Sequence, residues 1–348
     1  MIFSNTVLDS IACELPPEVW SSSLIEEKLA PLYEKLKLPF GRLELMTGIK
    51  ERRFWPQSVL PSSIAALAGK KALDNASVSH DQIDVLVYAG VCRDCIEPST
   101  AAYVHSLLKL SENTQILDLS NACLGFLNSM IFAASMIESG LARAILIVSG
   151  EDGRPLLEST INLLLSTELS RNAIKPFFAN LTIGSGAVGA VISKQSMLKK
   201  PLLRFLGGIS LTDSSANKLC EGIGISGSAG TQVQMQTNSE ELLKAGIHLA
   251  KKAWTKFQSL VGFNAHDFDC TICHQVGKRH LTEFYKELHL IPDKDFSTFP
   301  FLGNVGSASV PITLAMALES GKIYPGDRIG LFGIGSGLSS IILGLEAM

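Results

Sequence analysis

The chain is expected to be a compact α/β protein built from two similar halves. Three observations carry that expectation. Short β-rich apolar runs alternate with helical patterns from end to end, three short motifs recur in the same order in both halves, and 46% of the 348 residues are hydrophobic against 18% charged. A chain this apolar can bury enough surface to offset its ordering entropy, which excludes disorder.

Residues 83–91 predict a buried strand, and residues 98–110 a helix with Pro98 in its first turn, where a missing N–H costs nothing. Residues 115–119 follow as a strand and residues 123–139 as a long helix closed by Gly140. Residues 144–148 and 181–192 predict further strands. Strands alternating with helices imply largely buried sheets. The stretch 212–237, rich in Gly and Ser and weak in periodicity, predicts a connecting or active-site loop.

The repeat is the strongest organising signal. Ile183-Gly184-Ser185-Gly186 recurs as Ile334-Gly335-Ser336-Gly337, each before an apolar run. Met136-Ile137-Glu138-Ser139-Gly140 recurs as Ala317-Leu318-Glu319-Ser320-Gly321, and Gln82-Ile83-Asp84 is echoed by Asp267-Phe268-Asp269. Two halves, 1–195 and 196–348, are therefore expected to pack as a pseudo-dimer. Cys123 lies 15 residues before Glu138 and Asn304 lies 15 before Glu319, so both are expected to start equivalent helices that converge on one site. A helix N-terminus stabilises an anion, so a depressed thiol pKa is expected for Cys123.

Cys123 sits among small residues in Asn121-Ala122-Cys123-Leu124-Gly125, which lets a carbonyl approach the sulfur. His274 ends an apolar strand in Thr271-Ile272-Cys273-His274, and Asn304 lies at the mirrored helix start. Each alone has an ordinary structural explanation. Together they make a nucleophile with two neutral donors.

These segments, with Ala308-Ser309-Val310-Pro311, Gly333-Ile334-Gly335-Ser336-Gly337 and Thr47-Gly48-Ile49-Lys50-Glu51-Arg52, resemble the thiolase superfamily, and within it 3-oxoacyl-[acyl-carrier-protein] synthase III. The resemblance spans essentially the whole chain. It implies a thiolase fold, with duplicated βαβαβαββ halves in a five-layered αβαβα arrangement, working as a homodimer. It also implies that Cys123 takes an acyl group as a thioester and that His274 and Asn304 hold the enolate oxygen of a second substrate. The backbone N–H groups of Cys123 and Ser336 would form the oxyanion hole. No cofactor is implied, only acyl-CoA or acyl-carrier-protein thioesters as substrates.

Arg93-Asp94-Cys95-Ile96-Glu97-Pro98-Ser99-Thr100 and His274-Gln275-Val276 resemble the branch that joins two fatty acyl-CoA molecules head to head in olefin and β-lactone pathways. In that branch the residue matching Glu97 enters the neighbouring subunit's site as the base. An unactivated acyl-CoA needs such a base, because no CO2 is lost to generate its carbanion. A non-decarboxylative Claisen condensation giving a 2-alkyl-3-oxoacyl product is thus expected. The alternative is decarboxylative condensation with a malonyl-carrier protein, or a related acyl transfer. Lys278 and Arg279 are expected either to meet phosphates of CoA or a carrier protein, or to be solvated charges. Met46, Leu302 and Gly277 depart from the family pattern, where Arg, His and Asn are usual.

Other readings fail on spacing or context. Cys92-x-x-Cys95 and Cys270-x-x-Cys273 are too far apart for a compact zinc ribbon, and side chains three apart on a strand face opposite ways. Gly184-Ser185-Gly186-Ala187-Val188-Gly189 fits a dinucleotide pattern but precedes a strand-like run instead of a helix. A net charge of −3 offers no basic excess for nucleic acid, and no apolar run approaches a membrane span of about 20 residues. Seven cysteines without an evident secretory leader predict reduced thiols in the cytoplasm.

Overall fold

The computed structural model describes residues 1–223, 234–274 and 277–348. Its nine-stranded sheet divides into two runs of like design. One run is ordered Gln115–Asp118, Val85–Tyr88, Ala144–Glu151, Gly186–Lys194, Thr6–Glu14; the other, Cys270–Cys273, Arg328–Gly335, Ser339–Ala347, Leu203–Thr212. Both runs begin with parallel pairs and finish with antiparallel ones. Where the first run has Gln115–Asp118, the second has only an isolated parallel bridge between Thr271 and Asp295. The two runs meet at a narrow seam, where Val7 pairs with Arg204 and Leu8 with Leu203.

Two helices lie between the runs: Gly125–Glu138 and Ser309–Glu319. Each sequence is almost free of charge until its terminal glutamate, as a helix buried on more than one side must be. Each packs on strands of both runs and on the other helix, which makes this the middle layer. Helices Pro61–Asn75 and Thr100–Leu108 cover the first sheet from outside; Ser239–Val261, with Lys278–Leu288 against it, covers the second. The result is the five-layered αβαβα thiolase arrangement.

The duplication extends to detail. A capping box formed by Ser79 and Gln82 precedes one parallel strand, and one formed by Asn264 and Asp267 precedes its counterpart. Asp84 then accepts the backbone N–H of Arg143 at 2.6 Å, and Asp269 that of Arg328 at 2.9 Å, the partners standing 59 positions apart both times.

Several expected boundaries shift. The expected strand at 181–192 begins only at Gly186, because the preceding residues form a 3-10 turn. The helix expected over 98–110 spans Thr100–Leu108, so Pro98 precedes it and Ser99 caps it, its hydroxyl accepting the N–H of Ala102. The expected loop at 212–237 contains a small hairpin, Cys220–Ile223 paired with Gln234–Thr237; residues 224–233 lie outside the described part.

The residues between Thr6–Glu14 and Pro61–Asn75 build a cap over one face. A two-stranded ribbon, Glu18–Ser21 with Glu51–Phe54, carries short helices Ser22–Lys28, Ala30–Lys35 and Arg42–Thr47 against helix Arg154–Ser166. Buried Glu26 organises this cap by accepting the N–H groups of Gly41 and Leu43 and the Tyr33 hydroxyl.

Candidate active site

Cys123 occupies a tight turn between strand Gln115–Asp118 and helix Gly125–Glu138. The turn is strained: Ala122 has φ of +46°, a left-handed value that a residue with a Cβ adopts only when its surroundings impose it. An isolated bridge between Asn121 and Cys123, and the Leu124 N–H on the Asn121 carbonyl at 2.9 Å, close it. The hairpin turn at Ser336 lies alongside. A Cβ on Gly335 would come within 2.9 Å of Leu124 Cγ, so only glycine lets this backbone approach the Cys123 turn.

Asn304 is held by backbone on both sides. Its N–H donates to Thr182 and its carbonyl accepts from Gly184, both at 2.9 Å. Gly303 has φ of +67°, and the Asn304 Oδ1 accepts from Gly306 N–H at 3.0 Å, which leaves the Nδ2 hydrogens for the cavity. Beneath this junction the buried Arg52 donates to the Ser22 hydroxyl and to the Leu181 carbonyl, tying the cap to the segment that holds Asn304. A Cβ on Gly184 would lie 2.0 Å from the Leu302 carbonyl oxygen. Gly184→Ala is therefore expected to force these two segments apart and lower stability by about 3 kcal/mol, read as a depressed midpoint in thermal unfolding; an unchanged midpoint would contradict the close approach.

Cys123, His274, Asn304 and Ser336 all line one cavity of about 1170 Å3. Leu32 from the cap and Leu156, Leu164, Leu181, Leu243 and Phe284 from later segments are among its apolar walls. His274 follows strand Cys270–Cys273 and is fixed by its N–H on the Phe332 carbonyl at 2.8 Å. Both ring nitrogens are buried without a hydrogen-bond partner among the described residues. Gln275 and Val276, which completed the His motif, lie outside the described residues.

The electrostatics correct one expectation. Burial pushes the Cys123 thiol up to about 12, with further upward contributions from Cys220 and the Glu151 carboxylate, where a helix N-terminus was expected to lower it. The helix begins only at Gly125, and Asn304 precedes its own helix by five residues, with a 3-10 turn at Gly306–Ala308 between. Neither side chain sits at a helix start, and desolvation dominates. Burial also pushes the His274 imidazole down to about 4, so it is neutral at physiological pH.

Glu97 does not line the cavity of its own chain. It is exposed on a loop that is otherwise anchored. Glu151 accepts the N–H groups of Val91 and Cys92, Asp94 accepts from Ser62, and Asp118 accepts from Thr100 and Ala101. Arg279 lines the cavity and Lys278 is exposed beside it, with its Cβ close to Gly48. Arg42, Arg171, Lys175 and Lys218 line the same cavity and were not singled out by sequence, because they come from separate segments with no shared motif. Cys220 and Glu151 were missed for the same reason. Met46 and Gly277 line the cavity, whereas Leu302 is buried with its carbonyl against Gly184.

Duplicated layers closing on a shared thiol-bearing cavity place the chain among the acyltransferases of the thiolase superfamily. Residues 117–161 match the family model for 3-oxoacyl-[acyl-carrier-protein (ACP)] synthase III, and residues 260–345 the model for its C-terminal part. An acyl-CoA:acyl-CoA alkyltransferase of Shewanella oneidensis is 38% identical, covering 99% of this chain and 100% of that protein. The Xanthomonas campestris protein of the same name is 35% identical over 97% of this chain and 98% of its own length. The chain belongs to this acyl-CoA:acyl-CoA alkyltransferase family. A crystal structure of Xanthomonas campestris OleA with bound lauric acid and lauroyl-CoA superposes with a TM-score of 0.93 at 33% identity, covering 99% of both chains.

Proposed function

We propose that this enzyme condenses two fatty acyl-CoA molecules head to head, without decarboxylation, to a 2-alkyl-3-oxoacyl product. The observation that carries the reading is the buried His274, neutral and without a protein partner for either ring nitrogen among the described residues, in an apolar cavity shared with Cys123 and Asn304. Such a ring can accept a proton from a thiol or donate one to an oxyanion.

In the first half-reaction Cys123 Sγ attacks the thioester carbonyl of one acyl-CoA. The carbon–sulfur bond to CoA breaks, and the thiol proton passes by way of His274 to the departing CoA sulfur. The N–H groups of Cys123 and Ser336 receive the charge that develops on the carbonyl oxygen. A second acyl-CoA then enters, and Glu97 of the partner subunit removes its α-proton while His274 and Asn304 hold the enolate oxygen. The carbanion attacks the acyl-Cys123 carbonyl, the carbon–sulfur bond to Cys123 breaks, and the thiolate takes up the proton that Glu97 removed, while the product keeps the second CoA as its thioester. Only electron pairs and protons move, so no cofactor enters the scheme.

CoA fits as the carrier because exposed Arg279 and Lys218 and half-buried Arg42 share a cavity with buried Leu32, Leu164 and Leu181, matching phosphates and an alkyl chain. A homodimer fits the open edge of strand Gln115–Asp118, which among the described residues pairs on one side only and carries exposed Ile116, with Ile96 and Leu107 also exposed. All seven cysteines are free thiols, in keeping with a cytoplasmic enzyme, and among the described residues no helix is long and apolar enough to cross a membrane.

The test supplies long-chain acyl-CoA with and without a malonyl thioester. One CoA released per product, whose other CoA stays on as the thioester, with no CO2 and no malonyl requirement, is the expected result. Turnover that needs malonyl and releases CO2 would establish the decarboxylative alternative.

A further inference from the structure

Glu151 ends strand Ala144–Glu151 inside the protein, 3% exposed, and among the described residues no cation pairs with it. A buried carboxylate without a cation is an expensive way to hold a fold. Beside the Cys92 thiol, three backbone N–H groups donate to it, and they come from segments that carry the site. Val91 donates to Oε1 at 3.0 Å and Cys92 to Oε2 at 3.1 Å, at the root of the Glu97 loop. Ser307 donates to Oε1 at 3.1 Å, three residues beyond Asn304.

The Ser307 side chain continues the connection. Its Oγ accepts the N–H of Phe126 at 2.8 Å, in the first turn after Cys123, and donates to the Ala89 carbonyl at 2.7 Å. The carboxylate also lies flush against the Asn304 turn, since a Cβ on Gly306 would approach its Cδ and Oε1 to 3.2 Å. Glu151 lines the same cavity as Cys123, but both of its oxygens are engaged by backbone, so it is placed to hold the site and not to remove a substrate proton.

We propose that Glu151, acting with Ser307, is a positioning residue that locks the Cys123 turn, the Asn304 turn and the root of the Glu97 loop into one frame. The proposal rests on the condensation reading for its effect on product, and on the hydrogen bonds alone for its effect on Cys123. In Glu151→Gln the amide keeps the shape, but its nitrogen cannot accept an N–H, so the Val91, Cys92 and Ser307 donors no longer share a full carboxylate. Small misplacements of reacting groups cost rate far more than binding.

The experiment compares wild type with Glu151→Gln and Ser307→Ala, each first confirmed as folded by circular dichroism. For Glu151→Gln, kcat for condensation is expected to fall about 10²-fold with KM little changed, and acyl-Cys123 is expected to be lost to hydrolysis as free fatty acid. A second readout is independent of the substrate: the pH profile of Cys123 alkylation. Besides Cys220, Glu151 is the ionisable neighbour that raises this thiol, so the profile is expected to move to lower pH in Glu151→Gln. Ser307→Ala, which frees the Phe126 N–H, is expected to slow acylation of Cys123. If wild type makes no 2-alkyl-3-oxoacyl product yet the alkylation and acylation shifts appear, the condensation reading fails and the frame stands. Unchanged kcat, partition and alkylation profile in a folded Glu151→Gln would overturn the frame, as would failure of Glu151→Gln to fold together with unaltered acylation in Ser307→Ala.

Discussion

Replacing Cys123 with alanine is expected to abolish both covalent acyl capture and turnover, because no other thiol in the cavity occupies the turn beside Ser336. Replacing Glu97 with alanine is expected to leave capture intact and abolish condensation. Mixed, the two inactive chains should recover activity. Glu97 lies outside its own chain's cavity, so in a heterodimer the Glu97→Ala chain would keep its Cys123 and receive Glu97 from its partner. One of the two sites is then whole and the other lacks both groups. Random pairing gives heterodimers in half of the population, hence about a quarter of wild-type activity. The measurement is product formation after co-refolding or co-expression, with radiolabelled acyl-CoA reporting capture separately. No recovery on mixing would place Glu97 in its own chain's site or outside catalysis, and acyl label persisting in Cys123→Ala would remove the nucleophile assignment.

The second large effect is in pH dependence. With the Cys123 thiol pushed up to about 12, only about one part in 10⁵ is thiolate at pH 7. Alkylation of Cys123 by iodoacetamide, followed at the peptide level, is expected to rise roughly tenfold per pH unit from neutrality and to show no plateau near pH 9. A plateau by pH 8 would mean that the helix terminus prevails over burial after all. Stability follows the same logic with opposite slopes. The thiol's pKa is raised in the folded state, so its contribution is complete below its unfolded value of about 9 and is lost as pH rises toward 12. The His274 pKa is lowered from 6.5 to about 4, so its contribution is present above pH 6.5 and lost as pH falls toward 4. That loss amounts to about 3 kcal/mol, seen as a falling unfolding midpoint on the acid side.

The parts of this design that were legible in the sequence share one property: their evidence is local. The IGSG and helix-ending repeats locate the duplicated strands and central helices, and small residues around Cys123 mark a turn open to an approaching carbonyl. The cap was not legible, because its ribbon and short helices have no period long enough to read, and Glu26 and Arg52 hold it together from the interior. Glu151 looks in sequence like the last residue of an apolar strand; only the fold reveals three N–H groups converging on it. The thiol pKa is not legible in sequence because spacing places the helix start two residues early and desolvation depends on what the whole fold packs around the sulfur.

The twin clips at Asp84 and Asp269 bear on how the two halves have diverged. In one, Arg143 also grips Asp84 with its guanidinium at 2.7 and 3.1 Å; in the other, the Arg328 guanidinium turns instead to Asp267 at 3.8 Å. The backbone N–H to carboxylate bond is common to both, and the surface ion pair is not. That difference matches their worth, since exposed ion pairs contribute at most about 1 kcal/mol whereas an unpaired strand end unravels a sheet. The scaffold is therefore written twice in main-chain contacts, and side chains are the part left free to differ: Cys123 at the cavity in one half, His274 and Asn304 in the other.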